Sequence, residues 1–294
     1  MLIAPETETE QRVLEIWQDL LGVRDIDMEQ HFFEAGGDSI QAFSLLMSIQ
    51  SCFEVHLPYH QLIQCPSIRL LANTIDSLAP STQPAIPHIP EQEHYALSPA
   101  QKRMYILHQI EQESVQYNVW SALYLDGGVN IERLQDTFRK LIKRHESLRT
   151  ELVMVNGSPR QRVKQSVDFY MEHQEQFEGP LDRVLSEKIR PFDFFQAPMV
   201  RAGLIRCEEG RYVLWADMAH IICDGMSGDL LRRDFMALYE GTELSPVKRQ
   251  YKDYAAWQIN RLAQGELETQ RQYWLSQFKE PLAYLDFPLD FPRP

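Results

Sequence analysis

The stretch "APSTQPAIPHIPEQEHY", Ala79 to Tyr95, divides the chain, because it carries Pro80, Pro84, Pro87 and Pro90 and few large apolar side chains. Proline fixes φ and donates no backbone N–H, so such a run joins neither a helix interior nor an inner strand and reads as an extended, semi-rigid linker. It predicts two folding units, residues 1–79 and 95–294, joined by residues 80–94. At 294 residues and 44% hydrophobic content the chain has enough material for two cores.

Upstream of the seam the pattern is helical. Val13, Ile16, Trp17, Leu20 and Leu21 repeat at helical spacing, Thr7 and Glu10 fit a capping box, and Gly22 offers a stop. After a loop containing Phe32 and Phe33, the stripe Ile40, Phe43, Leu46 and Ile49 marks a second helix, and Pro58 to Ile63 a short one. Ser67 caps a last helix bearing Ile68, Leu71, Ile75 and Leu78. This predicts an all-α four-helix bundle.

Within that unit "FFEAGGDSIQAF" stands out. Gly36 and Gly37 permit a close backbone approach, Asp38 caps the following helix, and Ser39 falls at the helix start with its hydroxyl near solvent. Unpaired N–H groups and the positive end of the helix dipole favour an anion there.

Downstream the pattern is mixed. Ser98 and Pro99 open a helix carrying Met104, Leu107 and either His108 or Ile110, and "SALYLDGGV" reads as a strand. "IERLQDTFRKLIKRHESL" is helical through Leu134, Phe138 and Leu141 or Ile142, and "LRTELVMVNGSPRQRV" is a hairpin turning at Asn156-Gly157. "RYVLWADMAHII" is a long, buried strand that leads into a helix through Leu231, Phe235 and Leu238. The class is α/β or α+β with a mixed sheet. By the period of two, a His220 that faces a cleft shares its side with Met218 and Ala216, while Ala219 faces away with Asp217. Asp224 and Gly225 come where the chain must turn, so Asp224 caps or pairs there and Gly225 permits the turn.

Two resemblances add to this reading. Through "GGDSI", Gly36 to Ile40, the first unit resembles the peptidyl carrier proteins of non-ribosomal peptide synthetases. The resemblance implies a 4'-phosphopantetheine arm on Ser39, next to Gly37 and Asp38, attached by a phosphopantetheinyl transferase and holding an acyl or peptidyl thioester. "LSPAQKRMYIL", "RHESLRTEL", "MAHIICDGMS" and "YKDYAAW" resemble, in order and spacing, the motifs of synthetase condensation domains. That implies a chloramphenicol-acetyltransferase-like lobe and the pattern His-His-x-x-x-Asp-Gly. Carried over, His220 is the histidine tied to catalysis, Asp224 a structural acid paired with Arg149 or Arg144, and Gly225 the turn. Ala219 stands where the family has its first histidine, which bears on activity and local stability.

The same resemblance implies an upstream adenylation domain, a downstream acceptor carrier and a second condensation lobe beyond "PLDFPRP", without which this chain by itself is not expected to form peptide bonds. A binding platform with a non-catalytic lobe is the rival from another class, and an epimerisation or ester-forming relative the rival among enzymes. Composition excludes other classes. The net charge of −13, of which −9 lies in residues 1–80, argues against nucleic acid. With no apolar run of membrane length and no signal peptide the expectation is a cytoplasmic protein. Cys52, Cys65, Cys207 and Cys223 show no metal or disulfide spacing and are expected as reduced, mostly buried thiols.

Overall fold

The computed structural model describes residues 3–79, 86–207, 210–279, 288 and 291. The chain separates into two compact units, Met1–Ala85 and Ile86–Pro294. Residues 80–85 of the expected linker lie outside the described residues, while 86–94, expected as linker, belong to the second unit. The reason is a set of bonds: Ile89 N donates to Asp253 Oδ1 (3.0 Å), Gln92 N to Tyr95 Oη (2.9 Å) and Arg249 Nε to Ile86 O.

The first unit is four helices, α1 (Glu8–Leu21), α2 (Ser39–Phe53), α3 (Tyr59–Gln64) and α4 (Ile68–Ser77). Trp17, Met28, Phe32, Leu45, Ile49, Leu62 and Leu71 are fully buried between them, and each such side chain contributes about 1.5–3 kcal/mol of burial. Gly22 closes α1 in the left-handed region (φ 68°). Two expectations fail here. Thr7 does accept from Glu10 N, but the Glu10 carboxylate turns to Glu6 N (2.6 Å), held also by Arg69, so the box is only half formed. On α2 the buried stripe is Ala42, Leu45 and Ile49, and Ile40 and Phe43 are each 52% exposed. The helix is apolar on several faces, and the 3.6-residue period alone does not choose which face packs.

The second unit has α5 (Pro99–Ile110), α6 (Ile131–Arg144), a 3₁₀ turn (Glu146–Arg149), α7 (Leu181–Lys188), α8 (Gly225–Glu240), α9 (Tyr251–Ala263) and α10 (Glu268–Gln277). Its strands are β1 (Tyr95–Ala96), β2 (Asn118–Leu125), β3 (Thr150–Val155), β4 (Ser158–Val163), β5 (Glu172–Gln174), β6 (Val200–Arg206) and β7 (Tyr212–Ala219). A three-stranded sheet runs β1-β4-β3, its hairpin turning at Asn156 and Gly157, both with positive φ. The four-stranded sheet runs β2-β7-β6-β5; β5 pairs parallel to β6 and the other pairs are antiparallel, which makes it the expected mixed sheet. One face of β6 and β7, through Leu204 and Leu214, meets α6 and α8, where Phe138 lies 4.8 Å from Phe235. The other, through Ile205 and Trp215, meets Val184 of α7. In α5, His108 turns inward and stacks on Phe194 at 4.0 Å, while Ile110 stays exposed. Among the described residues no helix is long and apolar enough to cross a membrane. Cys52 is exposed, Cys65 and Cys207 are half-buried and only Cys223 is buried, so the expectation of mostly buried thiols fails.

Candidate functional site

The two motifs form two sites, one in each unit. In the first, the loop before α2 is held from below. Gly36 adopts φ 102°, which side chains with a Cβ rarely take, and a Cβ on Gly37 would lie 2.4 Å from the ring of Phe32. That ring is itself buried and packs edge-on against Trp17 at 4.9 Å. Each glycine is therefore needed for its own reason. Asp38 then caps α2: its carboxylate accepts from Gln41 N (2.8 Å), and Gln41 Oε1 accepts from Asp38 N (3.0 Å), a reciprocal box. Gln41 Nε2 also donates to Leu20 O (3.0 Å), which ties the start of α2 to the end of α1. Ser39, first residue of α2, is exposed, and among the described residues its hydroxyl has no hydrogen-bond partner. An unpaired hydroxyl on a fixed backbone, beside helix-start N–H groups, suits attachment of a phosphodiester, so the residues present fit a phosphopantetheine arm. The sequence reading missed Gln41, although the Asp-x-x-Gln spacing of residues 38–41 is the signal that finds it.

In the second unit the motif strand stops one residue short of His220. Ala219 N donates to Met199 O (3.1 Å) and His220 N to Tyr117 O (2.9 Å), so the chains flanking β7 grip its end from both sides. Val213 to Trp215 are buried in succession, and alternation holds only over the last four residues of β7, with Ala216 and Met218 half-buried and Asp217 and Ala219 buried. His220 itself is exposed, and among the described residues its ring has no hydrogen-bond partner. Ile221, Ile222 and Cys223 dive back into the core, and burial pushes the Cys223 thiol up to about 12, so it is not a usable nucleophile. Asp224 caps α8, accepting from Ser227 N (2.9 Å) and Ser227 Oγ (2.6 Å).

That cap corrects the expected arginine pairing. Asp224 spends its carboxylate on Ser227, and among the described residues no arginine reaches it. Arg144 Nε instead donates to Asp234 Oδ2 (2.8 Å), ten residues further along α8, and the same oxygen lies 3.0 Å from His145 Nε2. Arg149 donates to Lys164 O and lies 3.5 Å from Glu146. Gly225 also differs from expectation. Its φ is not positive and a Cβ there would meet nothing, so the turn does not require a glycine.

A buried polar knot that the sequence did not announce lies beneath the strand end. Asp217 is 1% exposed; it accepts from Asn118 Nδ2 (2.9 Å) and lies 3.6 Å from Arg201 Nη1, and burial holds its carboxyl above the usual aspartate range. The Arg201 guanidinium lies 3.7 Å over the Phe192 ring. Pairing across β2, β6 and β7 is a tertiary fact that none of these residues signals locally.

Against this geometry, residues 91–294 match the family model of the condensation domain, and residues 11–75 match that of the phosphopantetheine attachment site. Similar proteins include tyrocidine synthase 3 of Brevibacillus parabrevis (40% identical, 99% of this chain and 4% of that protein) and bacitracin synthase 3 of Bacillus licheniformis (38%, 99% and 5%). Surfactin synthase subunit 1 of Bacillus subtilis is 39% identical over 99% of this chain and 8% of its own length. The chain thus spans a small fraction of the curated relatives it matches. Among solved structures, the X-domain from teicoplanin biosynthesis superposes with a TM-score of 0.64 at 26% identity, over 72% of this chain and 49% of that one. The first condensation domain of the CDA synthetase, at 17% identity and TM-score 0.56 over 65% of this chain and 51% of that one, shares the fold. The condensation model covers well over half of the residues, and the chain belongs to the condensation-domain family, with a phosphopantetheine attachment domain preceding it.

Proposed function

We propose that this chain delivers a carrier-bound acyl donor to a condensation site in non-ribosomal peptide synthesis, with Ser39 as the attachment residue and His220 as the catalytic one. The observation that carries the reading is the exposed, unpartnered hydroxyl of Ser39 on a helix start locked by Asp38 and Gln41. A bound phosphopantetheine arm supplies a thiol that holds the acyl group as a thioester. Around Ser39 the exposed apolar side chains Ile40, Phe43 and Met47 form a surface against which a transferase docks.

At the other site an exposed, unpaired imidazole leaves a rigid strand end. An acceptor α-amine has a pKa of about 8, so a usable neutral fraction exists near neutral pH and His220 need not be a strong base. Its role is to take the proton that this amine loses on forming the amide, or to hold the amine by a hydrogen bond; such help is worth roughly 10²–10⁴-fold. Asp224 caps α8 at the end of the loop after His220, and Asp234, Arg144 and His145 lock α8 to α6, which holds that loop's far end. Arg149 supports the 3₁₀ turn. The partners in this reading are a phosphopantetheinyl transferase, an adenylation domain, an acceptor carrier and a second condensation lobe, in the cytoplasm, where free thiols such as Cys52 stay reduced. A match to about half of the solved X-domain supports the second lobe.

Incubation with coenzyme A and a phosphopantetheinyl transferase tests the first half: intact mass should rise by one arm, and Ser39→Ala should abolish the gain. For the second half, His220→Ala in the complete synthetase should slow amide formation; an undiminished rate would reject both roles of the imidazole. Ala219 favours a second reading, a docking lobe without catalysis, and this substitution also separates the two.

A further inference from the structure

The motif "YKDYAAW" has no part in either site, yet two of its charged side chains are among the most buried in the second unit. Lys252 pairs with Glu146 at 2.9 Å, and Asp253 is fully buried at the start of α9. Asp253 Oδ2 accepts from Gln250 N (2.9 Å), a local cap. Its other oxygen, Oδ1, accepts from Ile89 N (3.0 Å) and lies 3.2 Å from His88 Nδ1. Arg249, four residues earlier, donates to Ile86 O. A buried carboxylate left without donors costs several kcal/mol, so the Ile89 amide and the His88 ring satisfy a demand set by the core. The anchored residues 86–89 fall between the two family matches, which end at 75 and resume at 91. Neither domain pattern accounts for them.

We propose that Asp253 and Arg249 are positioning residues that shorten the tether between the two units by fastening residues 86–89 beside the start of α9. Leu78 packs against the first core and Ile86 is the first anchored residue of the second, eight residues on; without the anchor, the next fixed point is Tyr95 in β1. Fully extended, the two tethers reach at most about 26–29 Å and about 56–61 Å. Resting on the carrier reading above, this restricts the volume that the group on Ser39 can sample. Releasing the anchor dilutes the first unit around the second about threefold, by the −3/2 power of tether length.

The test uses the full chain without phosphopantetheine, so it stands or falls independently of Ser39 loading. Amide hydrogen exchange should show Ile89 protected at least tenfold over an unstructured chain. Asp253→Ala should remove that protection, with Asp253→Asn, which keeps an acceptor oxygen, losing less, and Asp253→Ala combined with Arg249→Ala should let the first unit tumble more independently in ¹⁵N relaxation. Ile89→Pro combined with Arg249→Ala, which deletes the donor and leaves the α9 cap intact, should reproduce the faster tumbling even where Asp253→Ala frays α9. Unprotected Ile89 in the unaltered chain, or unchanged tumbling in the Ile89→Pro, Arg249→Ala chain, would overturn the proposal.

Discussion

Ser39 and His220 are both exposed and, among the described residues, without side-chain partners, but they are fixed by different means. Ser39 depends on neighbours close in sequence: Asp38 and Gln41 bond across three residues, and Gly37 rests on Phe32 five residues back. His220 depends on Tyr117 and Met199, which lie on the chains either side of β7, and on the Asp217–Asn118–Arg201 knot below. A helix start carries its site in its own local chemistry. A strand end borrows its rigidity from the whole sheet, so damage at a distance reaches His220 by more routes than it reaches Ser39, whose distant supports are the Gln41–Leu20 bond and the packing of Phe32 on Trp17.

The comparison breaks first at its two tightest glycines. A Cβ on Gly37 would sit 2.4 Å from Phe32, and one on Gly203 2.6 Å from Trp215. Both rings are buried, so Gly37→Ala should cost the first unit, and Gly203→Ala the second, about 1–3 kcal/mol by overpacking. Calorimetry should show each substitution lowering only its own transition; a shift in both would mean that the units do not unfold independently.

The caps are the next test. Asp38→Ala and Asp224→Ala each remove a side chain that satisfies a helix-start N–H, at about 1 kcal/mol in denaturant titration. If the local-versus-borrowed distinction is right, Asp38→Ala also slows arm attachment at Ser39, since the reciprocal bonds between Asp38 and Gln41 span that residue.

The second unit should respond to mild acid through His145. Burial holds its imidazole below the usual histidine range despite Asp234, so the unfolded chain takes up the proton first. Stability from this group is complete above about pH 6.5 and falls as pH drops below it. Denaturation of the unit at pH 7.5 and 5.5 should show the loss, and His145→Gln should flatten it. The smallest effect is expected at Gly225→Ala: with open space and an ordinary φ, stability should move by no more than about 0.5 kcal/mol. A large loss of amide formation in that variant would show that an approaching substrate, and not the fold, requires the glycine.

Much of the fold was legible because the signals were local. Asp38, Ser67 and Ser98 cap the helices they were expected to cap, and Asn156-Gly157 turns the hairpin. The stripe on α2 misled because Ile40, Phe43 and Met47 are as apolar as the buried Leu45 and Ile49, and only the partner helices decide which row is covered. Arginine pairing failed for a related reason. Arg144 did meet an aspartate of α8, but Asp234 and not Asp224, since a motif gives the residues and not the rotation of the helix that carries them.

By itself, then, the sequence determined where the helices capped by Asp38, Ser67 and Ser98 begin and where the hairpin turns at Asn156-Gly157, because caps, glycines and hydrophobic periods act over three or four residues. The tertiary structure alone decided which carboxylate meets which arginine, which carbonyls grip the end of β7, and that Asp253 captures His88 and Ile89. Those choices join residues from about 20 to more than 160 positions apart, and long-range pairing of that kind is set by how whole elements pack and not by any short run of side chains.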